Sequence, residues 1–524
     1  MKRILIPAAA GPAKPFERQI MNCARRLCAA LLFAGAAASL VHAAPATLDE
    51  AQARHLLVRT GFAPTQAEVA RLVGQGARQA VNDIVVRAQA ARPLNAPPAF
   101  VAAQPPIPPR LLPSREEQQA ARQQQLREGL ELKTWWVREM IESPAPLAER
   151  MALFWHGHFA TSQQKVVRSQ AMWRQHEVLR GQALGNFRAL LHAVAKDPAM
   201  LAYLDGANSR KEAPNENFAR EVMELFTLGE ASQGGGYTEQ DIKEAARAFT
   251  GWSIERDDFS FRFRPAFHDQ GAKTVFGRTG NFDGDAVIDL MLDQPGAARF
   301  ITAKLWKEFV SPVPDPQQLD AIAAHFRAGG YDIAQVVREL LLSDAFWAES
   351  NRGSLVKSPV ELVVGTVRQF GFSYTDAAPF VLKAAQLGQN LLAPPNVKGW
   401  PGYTDWINAT TLLERKRFTE QLFRSVDQKI EPRMVAAAMG AQGRLYLGRE
   451  GVMRVAEAVS RINFDPERFL AAYGGHADRE PDPALQVRLA QALLPVVQTQ
   501  PVPPGTVGVA WLRSMTLDAA YQLK

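Results

Sequence analysis

The strongest constraint on the fold is the way the chain is punctuated into helix-length segments. Ser114-x-x-Glu117 is a capping box, in which a side chain and a backbone three residues apart satisfy one another. It predicts a helix to about Glu142, polar all round at first and then carrying Leu132, Trp135, Trp136 and Met140. Pro144 and Pro146 open a further helix from Leu147 to about Trp155. Helices are expected over 169–195, 198–204, 216–228, 239–249, 285–293, 295–310, 316–328, 332–342, 357–370 and 378–388, with Gly229, Gly251 and Gly329 as stops. Residues 48–88 read as two short helices, the first capped by Asp49 or Thr47 and the second opened by Pro64-Thr65. Strand signals are weak, with one short hairpin expected within 260–276. The expected fold is mainly α: a large multi-helix globular domain with long loops and at most a short β-hairpin.

Proline at 93, 97, 98, 105, 106, 108, 109 and 113 forbids a helix there, so residues 92–113 read as a connector. It divides an N-terminal helical segment (44–91) from a main helical domain (114–428), which a C-terminal helical segment (429–524) follows. Residues 1–43 read as a cleaved signal peptide. Arg25 and Arg26 precede an apolar run, Leu27 to Leu40, and Val41-His42-Ala43 is a small-x-small cleavage site. Met21 is an alternative start. The expected location is periplasmic or secreted, with no membrane span after cleavage, because no later stretch is apolar enough.

Most of the formal charge of +7 belongs to this leader, so bulk charge gives no case for nucleic-acid binding. Both cysteines, Cys23 and Cys28, also lie there. A mature chain without cysteine has no disulfide, thiolate metal site, iron–sulfur cluster or haem attachment motif. No nucleotide-binding loop, H-E-x-x-H or G-x-S-x-G motif is present.

Four polar stretches can carry chemistry. His156 and His158, separated by Gly157, would point the same way in an extended chain and suit a divalent metal; otherwise they satisfy helix-end carbonyls. In Asn215–Phe226, Asn217, Glu221 and Glu224 share a helical stripe apart from Phe218, Val222 and Leu225. Partly desolvated carboxylates there can do acid–base work, whereas i,i+4 pairs of Arg220 with Glu216 and Glu224 would make a solvated face. Tyr237-Thr238-Glu239-Gln240-Asp241 reads as a helix cap. His268-Asp269-Gln270-Gly271-Ala272-Lys273 reads as a loop suited to a ligand, with His268 as a catalytic candidate and Lys273 as a binding candidate. Asn396, Trp400 and Trp406, on a Gly/Pro-rich loop, either line a cleft or anchor the loop.

The blocks Phe154–Thr161, Asn215–Gly229, Tyr237–Trp252, His268–Gly277 and Pro394–Trp406 together resemble the family known as domain of unknown function 1800. His55–Phe62 and Lys357–Glu361 fit the same pattern, and the resemblance covers about residues 50–424. It implies an exported bacterial protein, mostly helical, and no particular activity, substrate or cofactor.

The functional expectation is an extracytoplasmic hydrolase acting on a polymer of the envelope or surroundings. Glu221 and Glu224 would be the acid–base pair, with Asn217 and Arg220 on the substrate. A metal-dependent variant would use His156 and His158. The alternative is a non-enzymatic envelope assembly or binding protein, whose polar blocks are caps and ion pairs.

Overall fold

Helices begin where cap residues stand. Asp49, Thr65, Ser114, Thr238 and Ser358 each accept from the third helical backbone N–H, and that third residue's side chain returns a bond. The computed structural model of the chain describes residues 44–103, 111–427, 431–433 and 440–524. The signal-peptide reading of 1–43, both cysteines, and Pro105, Pro106, Pro108 and Pro109 of the connector lie outside the described residues.

The first segment contains three helices rather than two: α1 (Glu50–Thr60), α2 (Gln66–Leu72) and α3 (Ala77–Ala90). Gly74, at φ +82°, takes the left-handed turn between the last two. After the connector come α4 (Arg115–Glu142), α5 (Pro146–His158), α6 (Gln163–Val166), α7 (Ser169–Gly181), α8 (Phe187–Ala195) and α9 (Pro198–Tyr203). The single helix expected over 169–195 is thus two, because Asn186 caps a new one by accepting from Ala189. Next is α10 (Glu216–Met223), which widens into a π-helical turn, Glu224–Leu228, and stops at Gly229 with φ +83°.

Helix α11 (Glu239–Ala248) leads into β1 (Trp252–Ile254), β2 (Phe261–Phe263), β3 (Lys273–Val275) and β4 (Arg278–Gly280). These make two separate antiparallel ribbons, with Trp252 opposite Phe263 and Lys273 opposite Gly280, rather than one hairpin. Then follow α12 (Gly284–Asp293), α13 (Pro295–Phe309), α14 (Pro316–Ala328), α15 (Ile333–Leu342), α16 (Asp344–Trp347), α17 (Pro359–Phe370) and α18 (Ala378–Gln386). The last helices are α19 (Ala409–Asp427), α20 (Gly440–Ser460), α21 (Pro466–Ala471), α22 (Pro483–Leu493) and α23 (Gly508–Leu517). The fold is mainly α, and no helix among the described residues is long and apolar enough to cross a membrane.

Two apolar cores meet at α5. Met151 and Trp155 pack into one, with Phe187, Phe226 and Trp306; Ala152 and Leu153 pack into the other, with Trp136, Phe370 and Trp511. A helix buried on most of its circumference must also satisfy its polar residues internally. Arg150 of α5 does so by donating to the Gly61 carbonyl at 2.7 Å and pairing with Glu308 at 2.7 Å and Glu361 at 2.5 Å. Arg59 donates to the Phe309 and Val310 carbonyls at 2.9 and 2.8 Å, closing the end of α13. Lys524 Nζ reaches Glu361 from the end of the chain, and Leu355 and Lys524 exchange backbone bonds. Burial would raise the Glu361 carboxyl, but Lys524 and Arg150 hold it well below the usual carboxylate range.

Candidate functional site

Helix α10 sorts its residues as their spacing demands. Asn215 caps it by accepting from Phe218 at 3.2 Å, and Phe218, Ala219, Val222 and Met223 are buried. Asn217 is exposed, while Glu221 and Glu224 are half-buried. The i,i+4 pairs of Arg220 with Glu216 and Glu224 do not form. Arg220 instead makes a bidentate pair with Glu239 of α11, both bonds at 2.7 Å, because that planar fork-on-fork geometry outcompetes a flexible pair along one helix. Among the described residues, the carboxylates of Glu221 and Glu224 are left with no hydrogen bond and no ion pair within 4 Å.

The electrostatics follow from that. Burial raises the Glu221 carboxyl, and the neighbouring Glu224 raises it further, against Lys398 and Arg220. The Tyr203 phenol is raised by burial and by Glu221. Tyr237 is pushed up to about 12 by burial and by Glu224. The π turn after Glu224 is braced by Thr227, whose hydroxyl donates to the Val222 and Met223 carbonyls at 2.7 and 3.1 Å. Such turns are frequent at functional sites.

Three further segments wall this stripe. Lys165 of α6 pairs with Asp205 at 2.8 Å and lies over the Tyr203 ring at 5.6 Å. Gln163 at the start of α6 donates its backbone N–H to the Leu392 carbonyl at 2.9 Å, which ties the 392–406 loop alongside. Lys398 of that loop pairs with Glu230 at 2.9 Å. At Gly399, φ is +89°, and an added Cβ would stand 2.1 Å from the Gly157 carbonyl oxygen, so the loop lies directly on the end of α5. Val167, Asp205, Leu392 and Tyr403 all hold positive φ on these same segments. Non-glycine residues in that region store strain, which clusters at functional sites.

The remaining candidates are placed elsewhere or are consumed by the fold. His156 and His158 lie on α5, not on an extended chain, so a step of two residues turns them to roughly opposite sides. His156 is held 3.2 Å from His176 in a cage with Trp136, and burial lowers it to about 3. His158 Nε2 is 3.1 Å from the Phe226 carbonyl and its Nδ1 is 3.1 Å from Lys304 Nζ; burial, then Lys304, holds it well below the ordinary histidine value. The two imidazoles therefore do not converge on a metal. Among the described residues, no group of three or more His, Cys, Asp or Glu stands close enough to hold one.

His268 sits on the Thr250 carbonyl at 2.9 Å and edge-on to Phe263. Asp269 takes two bonds from Arg247, and Lys273, 1% exposed, donates to the Asp269 and Gly271 carbonyls. Glu244 and Asp241 accept the backbone N–H groups of Thr274 and Phe276 at 3.0 and 2.7 Å. The 268–276 block thus docks the β3–β4 ribbon on α11 rather than presenting a ligand loop. Asn396 accepts from the Lys398 backbone at 2.9 Å, making the turn that aims Lys398. Trp406 is buried as a loop anchor. Trp400 packs over Gly157, and its buried indole N–H has no hydrogen-bond partner. Two surface grooves, of about 710 and 480 Å³, are lined by none of these residues.

Tyr203, Lys304 and Lys398 were not among the sequence candidates. Lys304 had a legible signal: it stands between the buried Thr302 and Leu305, where a lysine demands a reason.

The blocks that meet here are the same blocks that carry the resemblance. The family described as "Protein of unknown function (DUF1800)" matches residues 55–515. The chain belongs to this family. No curated protein and no solved structure matches it. Within this member of the family, the Phe154–Thr161 and Pro394–Trp406 blocks are joined through Gly157 and Gly399; Asn215–Gly229 joins the first through His158 and the Phe226 carbonyl, and Glu230, just after it, pairs with Lys398 of the second.

Proposed function

We propose that the protein is an exported hydrolase acting on an envelope or extracellular polymer, with Glu221 and Glu224 as its acid–base pair. The observation that carries this reading is that two half-buried carboxylates, three residues apart on one helix, have no bonded partner. A fold that satisfies so many other acids with capped or paired contacts gains nothing in stability from leaving these two unpaired. Burial and like charge make Glu221 hold its proton to higher pH than an ordinary carboxylate, which suits it to act as a general acid beside Glu224. Asn217 and Trp400 would orient substrate beside them, and Arg220 and Lys398 set the local potential.

The leader supports export, with a mature chain beginning at Ala44 after removal of residues 1–43. The experiment is release of soluble fragments from envelope polysaccharides and peptidoglycan by the mature protein, with Glu221→Gln as control. Loss of turnover with intact folding is expected; unchanged turnover removes Glu221 from the chemistry.

A second reading, a non-enzymatic assembly or binding protein of the envelope, is favoured by a specific observation. His156, His268, Lys273 and Trp406 are all spent on internal contacts. That reading prevails if the protein retains an envelope component on a column without altering it, and does so equally with Glu221→Gln.

A further inference from the structure

Lys304 of α13 is the one other ionisable group at the end of this stripe whose surroundings call for an explanation. It has no carboxylate within 4 Å among the described residues. Its Nζ faces His158 Nδ1 at 3.1 Å, the Leu225 carbonyl at 3.4 Å and the Phe300 ring face at 4.8 Å. Among the described residues, the other charge acting on it is Lys307, one turn along its own helix. The Phe226 carbonyl can only accept, so the His158 proton sits on Nε2 and the Nδ1 lone pair points at the lysine. This is an amine beside an oriented neutral imidazole, at a residue that is half-buried rather than sealed.

We propose that Lys304 is a nucleophilic lysine that captures small aldehydes or ketones as an imine, with His158 as the hydrogen-bond acceptor that orients its amine. The Nζ lone pair attacks the carbonyl carbon, and the C–N bond forms as the C=O π bond opens. The His158 Nδ1 lone pair holds an amine N–H by a hydrogen bond while a proton moves from the nitrogen to the oxygen. The carbinolamine then loses its hydroxyl, with a second proton, as water, leaving C=N. Amine and carbonyl thus give imine and water, and no oxidant or reductant is needed. Burial, with Lys307 adding to it, lowers the ammonium to about 8, which supplies neutral amine near neutral pH. This chemistry is independent of the proposed role of Glu221 and Glu224.

The test is reductive trapping. The folded mature protein is incubated with glycolaldehyde and cyanoborohydride at pH 7.5, and adducts are mapped by peptide mass spectrometry. At that pH roughly a quarter of such an amine is neutral, against about one in a thousand for a solvated lysine. Lys304 should therefore be modified at least about tenfold faster than the exposed Lys243, even after restricted access. Lys304→Arg should lose that adduct and leave the others unchanged. His158→Gln, checked for folding by circular dichroism, should slow it severalfold. Modification of Lys304 no faster than Lys243, or only in denaturant, overturns the proposal. Fast labelling that His158→Gln leaves untouched overturns the role of His158.

Discussion

Acidification should destabilise this protein steeply, and the magnitude follows from four histidines held neutral inside it. His55 and His156 are lowered to about 3, and His158 and His176 stand well below their ordinary value, in each case chiefly by burial. The unfolded chain binds their protons below about pH 6.5, while the folded chain does not. The stability they permit is therefore complete above that pH and lost as pH falls toward the folded values. Together the four cost about 5 kcal/mol between pH 7 and 5.5. Asp197 acts in the opposite sense: burial raises it to about 7, so it returns roughly 2 kcal/mol between pH 7 and 5.5. Glu149, also raised by burial, works the same way. The net expectation is a loss of about 3 kcal/mol from pH 7 to 5.5, a large fraction of a typical stability. Guanidinium titrations at the two pH values, read by tryptophan fluorescence, measure it. An equal or higher midpoint at pH 5.5, with an unchanged slope, would refute the claim that these imidazoles are buried and neutral.

Glu221→Gln should abolish turnover while leaving stability at pH 7 unchanged or raised by up to about 1 kcal/mol, since it removes a half-buried charge that repels Glu224. Any gain should vanish near pH 4, and a loss above about 1 kcal/mol would mark the carboxylate as structural. Gly399→Ala should cost at least about 2 kcal/mol, from its positive φ and the backbone it would strike, whereas Gly157→Ala meets only the Trp400 ring at 3.6 Å and should be neutral or slightly stabilising in thermal melts. Glu361→Gln should cost about 3–5 kcal/mol by stranding Lys524 as a buried cation and leaving Arg150 with Glu308 alone, and a shift under 1 kcal/mol in chemical denaturation would contradict that network.

Local chemistry made most of the helices legible. The capping boxes at Ser114 and Thr238 are short-range bonds, so sequence alone locates α4 and α11 closely. The stripe of Asn217, Glu221 and Glu224 was legible for the same reason, because helical period fixes which residues share a face. Family membership likewise needs only ordered blocks. What no local rule could supply was partner choice. Arg220 had three acids within reach and took Glu239, on another helix, which is why Glu224 stands unpaired beside Glu221. His156 and His158 looked like a metal pair until α5 ran on through them and turned one toward His176 and the other toward Lys304. Caps and periodicity are decided within a few residues; which charge meets which is decided only when distant segments pack and water leaves the space between them.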